Sequence, residues 1–494
     1  MKLKFVIFDL DKGRLIRKGL LQLYLMDFNN TDLFLILDYL IIILLLCFFS
    51  GISRQNKLTV TIYFLSSFIF RIFIIFLLHD NTLSALKHIR MLSEYDATGY
   101  YFDTIYMIAT QNKIFPKINW YIADPGFHVL LYWLGKVYHH IFQINRISYL
   151  HFIYFLIFVN TITFLYMYEK LEKILSNKTV YAFFLIALLE PMMLRFSSTL
   201  EREMIVSFIL LFFIFGYMNN NLITMTVCTF LLYFFRDVYL YVIPILLILQ
   251  VMYEKFFTGR FLLFLFLLLF IFSLLVHVLS SVSKEMETLF FMHGKKFGES
   301  GFGDLILGTG YFLRVFMYSI LGFFAPIPIY PFWGSSFSTF YILNFIMGLS
   351  SISYLFINVY IMYSLYIIDK KAFETKSLNK KDIGHYYPVF KAYFAIIVLH
   401  FIFHGLIFNV RHRLQIIPSL IFIFFHVMKI ISDKSKISSN VSIGKCFLFS
   451  FAIILLLNCL YIILKLHLIF EAGIVLMCLT CLMIIILQRN FLKI

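Results

Sequence analysis

Four charged clusters sit at the ends of strongly apolar segments, and their residue types limit the chemistry they could do. Asp96, in Glu94-Tyr95-Asp96-Ala97-Thr98, is a carboxylate among tyrosines that could accept the proton of an attacking hydroxyl. Glu203, in Glu201-Arg202-Glu203, offers a second carboxylate. Arg202, Arg236 (followed by Asp237), Arg411 and Arg413 (flanking His412) carry guanidinium groups, which stay charged and hold phosphate oxygens through a two-pronged fork. An ionisable side chain at a bilayer boundary is costly unless it pairs or faces a polar cavity, so by default it marks a functional site. Each cluster also has a plainer reading. An acid near a helix N-terminus suits the dipole, and Arg–Asp neighbours form structural ion pairs. Those readings explain any single cluster well and four coincident clusters less well.

The elements that must position these residues are apolar almost throughout. The 494 residues are 62% hydrophobic and 14% charged with mean hydropathy +0.89, which excludes a soluble multidomain enzyme. Apolar runs recur over Leu33–Phe49, Leu58–Leu78, Tyr149–Met167, Val180–Leu194, Met204–Met218, Leu222–Phe235, Tyr239–Met252, Phe261–Leu279, Tyr311–Phe324, Tyr341–Ile368, Tyr387–Phe408, Leu414–Met428, Cys446–Leu464 and Leu468–Leu487. That pattern predicts about 12–14 crossings, since a helix needs roughly 20 apolar residues to pass the bilayer core. Lipid admits only helices and closed barrels, and continuous apolar runs lack the alternation of barrel strands. The expected fold is an all-α polytopic membrane bundle forming one domain over residues 1–494.

The net charge of +16 lies largely in short loops, where it sets topology and meets anionic headgroups; nucleic acid is not an expected partner. The basic stretches Glu169–Lys178, Glu254–Arg260, Asp369–Asp382 and Lys429–Lys445 anchor the cytoplasmic side. Alternation from those anchors places Arg195–Glu203, Arg236-Asp237, the loop Ser280–Asp304 and Arg411–Arg413 together on the external side. The stretch His79–Ile147 is a second external loop if Pro125–Phe142 lies along the interface. Met1–Asp32 then ends outside, against the positive-inside rule.

Three further patterns have bland readings. The six cysteines, including Cys478 and Cys481, are expected to be buried free thiols. His400 and His404 share a helical face as metal ligands can, but lack a neighbouring carboxylate and read as packed histidines. No metal site is assigned, and the need for a divalent ion stays open. Arg71 and Arg314 fall inside apolar runs and should face the bundle interior.

The order of motifs resembles a known group. An acidic Asp96-x-x-x-Tyr100-Tyr101 stretch precedes the segment Pro125-Gly126-Phe127 with Leu130-Leu131-Tyr132-Trp133-Leu134-Gly135. Ser197-Ser198-x-x-x-Arg202-Glu203 follows, then Arg236 before a run containing Pro244, then Arg411-x-Arg413-Leu414 with Pro418. From Asp96 to Pro418 this is similar to bacterial GT-C-type membrane glycosyltransferases and to the related Wzy and EpsG polymerases of surface polysaccharides. The resemblance implies an inner-membrane enzyme whose partner is an undecaprenyl-(pyro)phosphate-linked saccharide, working beside other polysaccharide-assembly proteins. It implies Asp96 as general base, with Arg202 or Glu203 at the polar turn and Arg236, Arg411 and Arg413 clamping the lipid-linked phosphate. Many GT-C enzymes carry a soluble C-terminal domain, and none is evident here, which favours a polymerase over a single-sugar transferase. A lipid-linked oligosaccharide flippase is the alternative outside enzymes.

Overall fold

A computed structural model describes residues 30–87, 92–111, 125–142, 147–190, 192–194, 202–236, 239–252, 353–368, 380–406 and 413–433, with isolated positions such as 144, 200, 264, 446 and 450. Every regular element among the described residues is a helix. In chain order these are α1 Asn30–Phe49, α2 Arg54–Lys87, α3 Leu92–Thr110, α4 Pro125–His140, α5 Tyr149–Leu171, α6 Asn177–Leu189, α7 Glu203–Met218, α8 Leu222–Phe235, α9 Tyr239–Met252, α10 Ser353–Ile368, α11 Lys380–Leu406 and α12 Arg413–Asp433. They divide between two compact units. The first holds Met1–Glu169 with Leu194–Met204, and the second holds Lys170–Met193 with Ile205–Ile494.

In the first unit, α1 and α2 pack side by side through stripes of period four. Leu35, Tyr39, Ile43 and Cys47 are buried on α1, as are Val60, Phe64, Phe68 and Ile72 on α2. The rest of α1 is just as apolar and faces outward: Phe34, Ile41, Leu45, Phe48 and Phe49 are all exposed. A helix apolar on every side is at home in hydrocarbon, because in water its outer face would forgo about 25 cal/mol for each Å² left uncovered. Arg71 is buried beside Ser67 on the same α2 face, the interior position its sequence context called for.

The α1–α2 turn closes its own carbonyls. Ser50 donates from its backbone N–H to Leu46 O and from Oγ to Cys47 O, and Lys57 Nζ reaches Phe48 O at 2.6 Å. Helix α5 is the centre of this unit, with 78% of its span buried against 28% for α1 and 33% for α2. Its polar residues Thr161 and Thr163 bond back to Ile157 O and Val159 O, which keeps their hydroxyls satisfied in an apolar setting.

In the second unit α8 packs on α9, α9 on α11 and α11 on α12. Aromatic contacts fasten the others to α12: Phe183 of α6 to Phe425, Phe215 of α7 to Phe422, and Tyr360 of α10 to Phe424. Pro244, Pro388 and Pro418 each sit inside a helix, where each removes one ladder N–H and frees one carbonyl.

Among the described residues, four helices are long and apolar enough to cross a membrane: Asp32–Phe49, Arg54–Ile74, Tyr149–Leu171 and Leu414–Ser432. Several other expected crossings appear as shorter helices. The 14 residues of α8 and of α9 rise about 21 Å, less than the roughly 30 Å hydrocarbon core. Helix α2 overruns its expected end by continuing to Lys87, and α11 begins at Lys380, ahead of the predicted Tyr387. The loop Ser280–Asp304, the proline-rich residues 325–331, Arg314, Cys459, Cys478 and Cys481 lie outside the described residues.

Candidate functional site

The first unit holds Asp96, Arg202 and Glu203. Asp96 stands in the second turn of α3, so the acidic stretch expected as loop is helical. Tyr100 and Asp103 follow on that face at i+4 and i+7. Helix α4, which starts at Pro125, packs along α3 so closely that a Cβ on Gly135 would come within 2.2 Å of Ile108 Cδ1. Tyr132 of α4 donates to Gln111 O just past the end of α3 at 2.9 Å, tying the pair at its far end.

Where α3 and α4 meet, the His128 and Tyr100 rings lie 5.1 Å apart, tilted at 59°, and both residues are buried. His128 Nδ1 and Thr104 Oγ1 are buried without hydrogen-bond partners. Burial lowers the His128 imidazole below the ordinary histidine range, and the Asp103 carboxylate opposes that shift. A depressed pKa in the folded chain means that the unfolded chain takes the proton more readily. The contribution is therefore intact above the ordinary value of about 6.5 and is lost as pH falls below it. We expect the melting temperature in detergent to drop between about pH 7 and 5, and His128→Leu to flatten that dependence. An unaltered slope in the variant would assign the acid sensitivity to other groups.

The polar turn lies on the same unit's framework. Tyr101 of α3 packs edge-on to Tyr149 at 5.7 Å and donates its hydroxyl to Ile147 O. Tyr149 Oη accepts the Leu200 backbone N–H at 2.9 Å. Two residues later Arg202 and Glu203 open α7, as the sequence predicted. Both are buried. Arg202 Nε lies 3.7 Å from Glu203 Oε1.

A second buried polar network in this unit had no signal in the sequence. Ser148 donates its N–H to His151 Nδ1, which leaves Nε2 as the protonated nitrogen, and Nε2 lies 3.1 Å from Asp32 Oδ1. Tyr138 donates to His151 O at 2.9 Å, so Tyr39 must be the donor in the 2.7 Å Tyr39–Tyr138 contact. The start of α1, the end of α4 and the start of α5 are thereby joined through groups that share no sequence neighbourhood.

The second unit holds Arg236 and Arg413. Arg236 ends α8, half-buried, with its N–H on Leu232 O at 2.7 Å. Three residues on, Tyr239 begins α9 and donates its N–H to Arg236 O. The Tyr239 hydroxyl then donates to Gln415 Oε1 at 2.7 Å, both residues buried. Gln415 is in the first turn of α12, the helix that Arg413 opens. The Arg236 turn and the start of α12 are thus one hydrogen bond apart despite 176 residues between Tyr239 and Gln415. Arg411, His412 and Asp237 lie outside the described residues.

A different polar knot closes the opposite end of α9. Tyr217 donates to Gln250 Oε1, Gln250 Nε2 donates to Tyr387 Oη at 3.0 Å, and Lys391 Nζ donates to Asn220 Oδ1 at 2.8 Å. The Lys391 ammonium also lies 4.5 Å from the Tyr217 ring centroid. Asn220, the one described non-glycine residue with positive φ (54°), makes the α7–α8 turn. Alternation from the basic loops assigned the ends joined by this knot to one side and the Tyr239–Gln415 ends to the other. The hydrogen bonds of the second unit pair the same ends.

His400 is fully buried with Nδ1 3.2 Å from Tyr354 Oη, the packed role expected for it, and Cys47, Cys228 and Cys446 are buried free thiols. Among the described residues no three His, Cys, Asp or Glu side chains gather as metal ligands would. Comparison of the chain with protein-family models, curated proteins and solved structures finds no match.

Proposed function

We propose that the chain is a polytopic membrane glycosyltransferase of GT-C-like architecture that acts on polyprenyl-linked sugars, and within that class a polymerase of lipid-linked repeat units. The observation that carries this reading is the Tyr239–Gln415 hydrogen bond, which collects Arg236 and the helix opened by Arg413 at one end of the second unit. Cationic donors gathered at the end of an apolar bundle suit the phosphate of a lipid-linked sugar. In the reaction, an acceptor hydroxyl oxygen bonds to the anomeric carbon while that carbon's bond to the phosphate oxygen breaks. The hydroxyl proton passes to a carboxylate, with Asp96 on α3 as the candidate and Glu203 as the second. The electron pair leaves on the phosphate, where arginine stabilises the developing charge.

The outward apolar face of α1 supports residence in a membrane, which we assign to the bacterial inner membrane with the arginine end external. One observation favours a second reading. Lys391, Arg71 and the Asp32–His151 pair are charged or titratable groups held inside the helices, as a flippase of lipid-linked saccharides would hold them.

Deletion of the gene separates the two readings. Loss of a polymerase leaves surface glycan capped by one repeat unit, because assembly and flipping continue. Loss of a flippase traps complete units on the cytoplasmic face with little surface glycan. Full-length chains lacking one sugar would identify a single-sugar transferase instead.

A further inference from the structure

Two helices of the second unit begin at the same place. Tyr239 is the first residue of α9 and Gln415 the third of α12, and their side chains meet at 2.7 Å. The first four N–H groups of a helix have no partner within it, and the peptide dipoles place partial positive charge there. Side chains on a helix also lean toward its N-terminus, so Gln415 reaches back over the opening turn of α12. Its Oε1 is taken by Tyr239, while its Nε2, with two N–H donors, is buried without a partner. Ser419, one turn further along the same face, is likewise fully buried with its hydroxyl unpartnered. The carbonyl end of α8, which borders this place, is closed by the Arg236 N–H on Leu232 O. What remains is a concentration of donors: the starts of two helices, the Gln415 amide and the Ser419 hydroxyl.

Such a surplus is unfavourable by itself. A buried N–H donor left unmade costs about 1–3 kcal/mol, and like partial charges add repulsion. Groups left in this condition call for an explanation, and a bound ion is one. An anion resolves every term at once, since a phosphoryl oxygen accepts several N–H bonds and carries the opposite charge. Two helix starts, each with an arginine beside it, offer two such positions one hydrogen bond apart.

The geometry points to a diphosphate-binding site at the joined starts of α9 and α12, with Gln415 Nε2 as a direct ligand and Tyr239 as the positioning residue that aims it. The physiological identity of the ligand, a polyprenyl diphosphate, rests on the glycosyl-transfer reading; the anion site does not. Glutamine is needed because it accepts from Tyr239 with one end and donates to the anion with the other. A glutamate of the same shape would keep the first bond and repel the ligand.

The test is titration of the purified full-length chain in detergent with inorganic pyrophosphate and, separately, orthophosphate. We expect pyrophosphate to bind about tenfold or more tightly than orthophosphate, one added phosphoryl contact being worth at least the ~1.4 kcal/mol of a tenfold ratio. Gln415→Glu should abolish pyrophosphate binding. Tyr239→Phe, which keeps the ring and frees the amide to rotate, should weaken it severalfold in a variant that still folds. If Gln415→Glu fails to fold, Tyr239→Phe decides alone. Equal affinity for the two anions, no binding by the parent chain, or full binding by either folded variant would overturn the site. Selective pyrophosphate binding without sugar transfer would leave the site standing and remove the glycosyl-transfer reading. Transfer without pyrophosphate preference would do the reverse.

Discussion

Arg236→Lys and Arg413→Lys should each lower polymer formation by about 100-fold, the scale seen when one preorganised donor is removed from a developing anion. Lysine keeps the positive charge, and the test depends on that. Arg236 sits at the C-terminus of α8, where any cation stabilises the helix by a few tenths to about 1 kcal/mol. A purely structural Arg236 would therefore tolerate lysine, with normal melting temperature and normal glycan. A phosphate-gripping Arg236 would not, because the ammonium cannot present two parallel N–H bonds to two oxygens. The same contrast applies to Arg413, which opens α12 and carries its charge at the unfavourable end of that dipole. A cation placed against the helix dipole calls for a reason other than helix stability. Arg411→Lys belongs in the same series. The readout is glycan chain length in complemented deletion cells at matched protein levels. Near-normal chains from all three variants would return these arginines to topological charges.

Much of the helical layout was legible in the sequence because polar punctuation is sharp. Helices α8 and α9 run over the predicted ranges, since Asn219-Asn220-Asn221 and Arg236-Asp237 bracket α8 and leave no room for drift. Asn221 accepts the Thr224 N–H through its Oδ1, a capping bond that the residue type announces. Ends marked only by a fall in hydropathy were placed badly. Helix α2 passes through His79, Asp80 and Asn81 because the residues beyond, Ser84-Ala85-Leu86-Lys87, are compatible with helix.

The candidate site was half legible. That Arg236 and Arg413 occupy one end of a bundle followed from loop charge and alternation. The residue that joins them, Gln415, carries no local signal, since a glutamine in an apolar run has no period or charge to betray it. The Lys391 knot was invisible for the same reason: its partners come from α7, α9 and α11 and meet only when those helices pack. Burial of Arg202 and Glu203 had no signal in the sequence, since an acid opening a helix suits the dipole whether exposed or buried.

That burial sets up the second large effect. Arg202→Leu should destabilise the chain by about 3–5 kcal/mol, because it leaves the Glu203 carboxylate buried beside an apolar group. Glu203→Leu should do comparable harm by removing the carboxylate that lies 3.7 Å from the buried Arg202 Nε. The double variant Arg202→Leu/Glu203→Leu removes both charges at once. It should recover most of the loss, as apolar replacements of buried ion pairs commonly do. Melting temperature and protein yield measure the stability arm, and glycan length in the restored double variant measures the other. A stable double variant that makes only single repeat units assigns the pair to catalysis or substrate binding, where a charge at the opening of α7 is required. A stable double variant with normal chains assigns it to structure alone. A double variant as unstable as either single one would show that the two charges answer to different partners, and the pairing at the α7 start would be withdrawn.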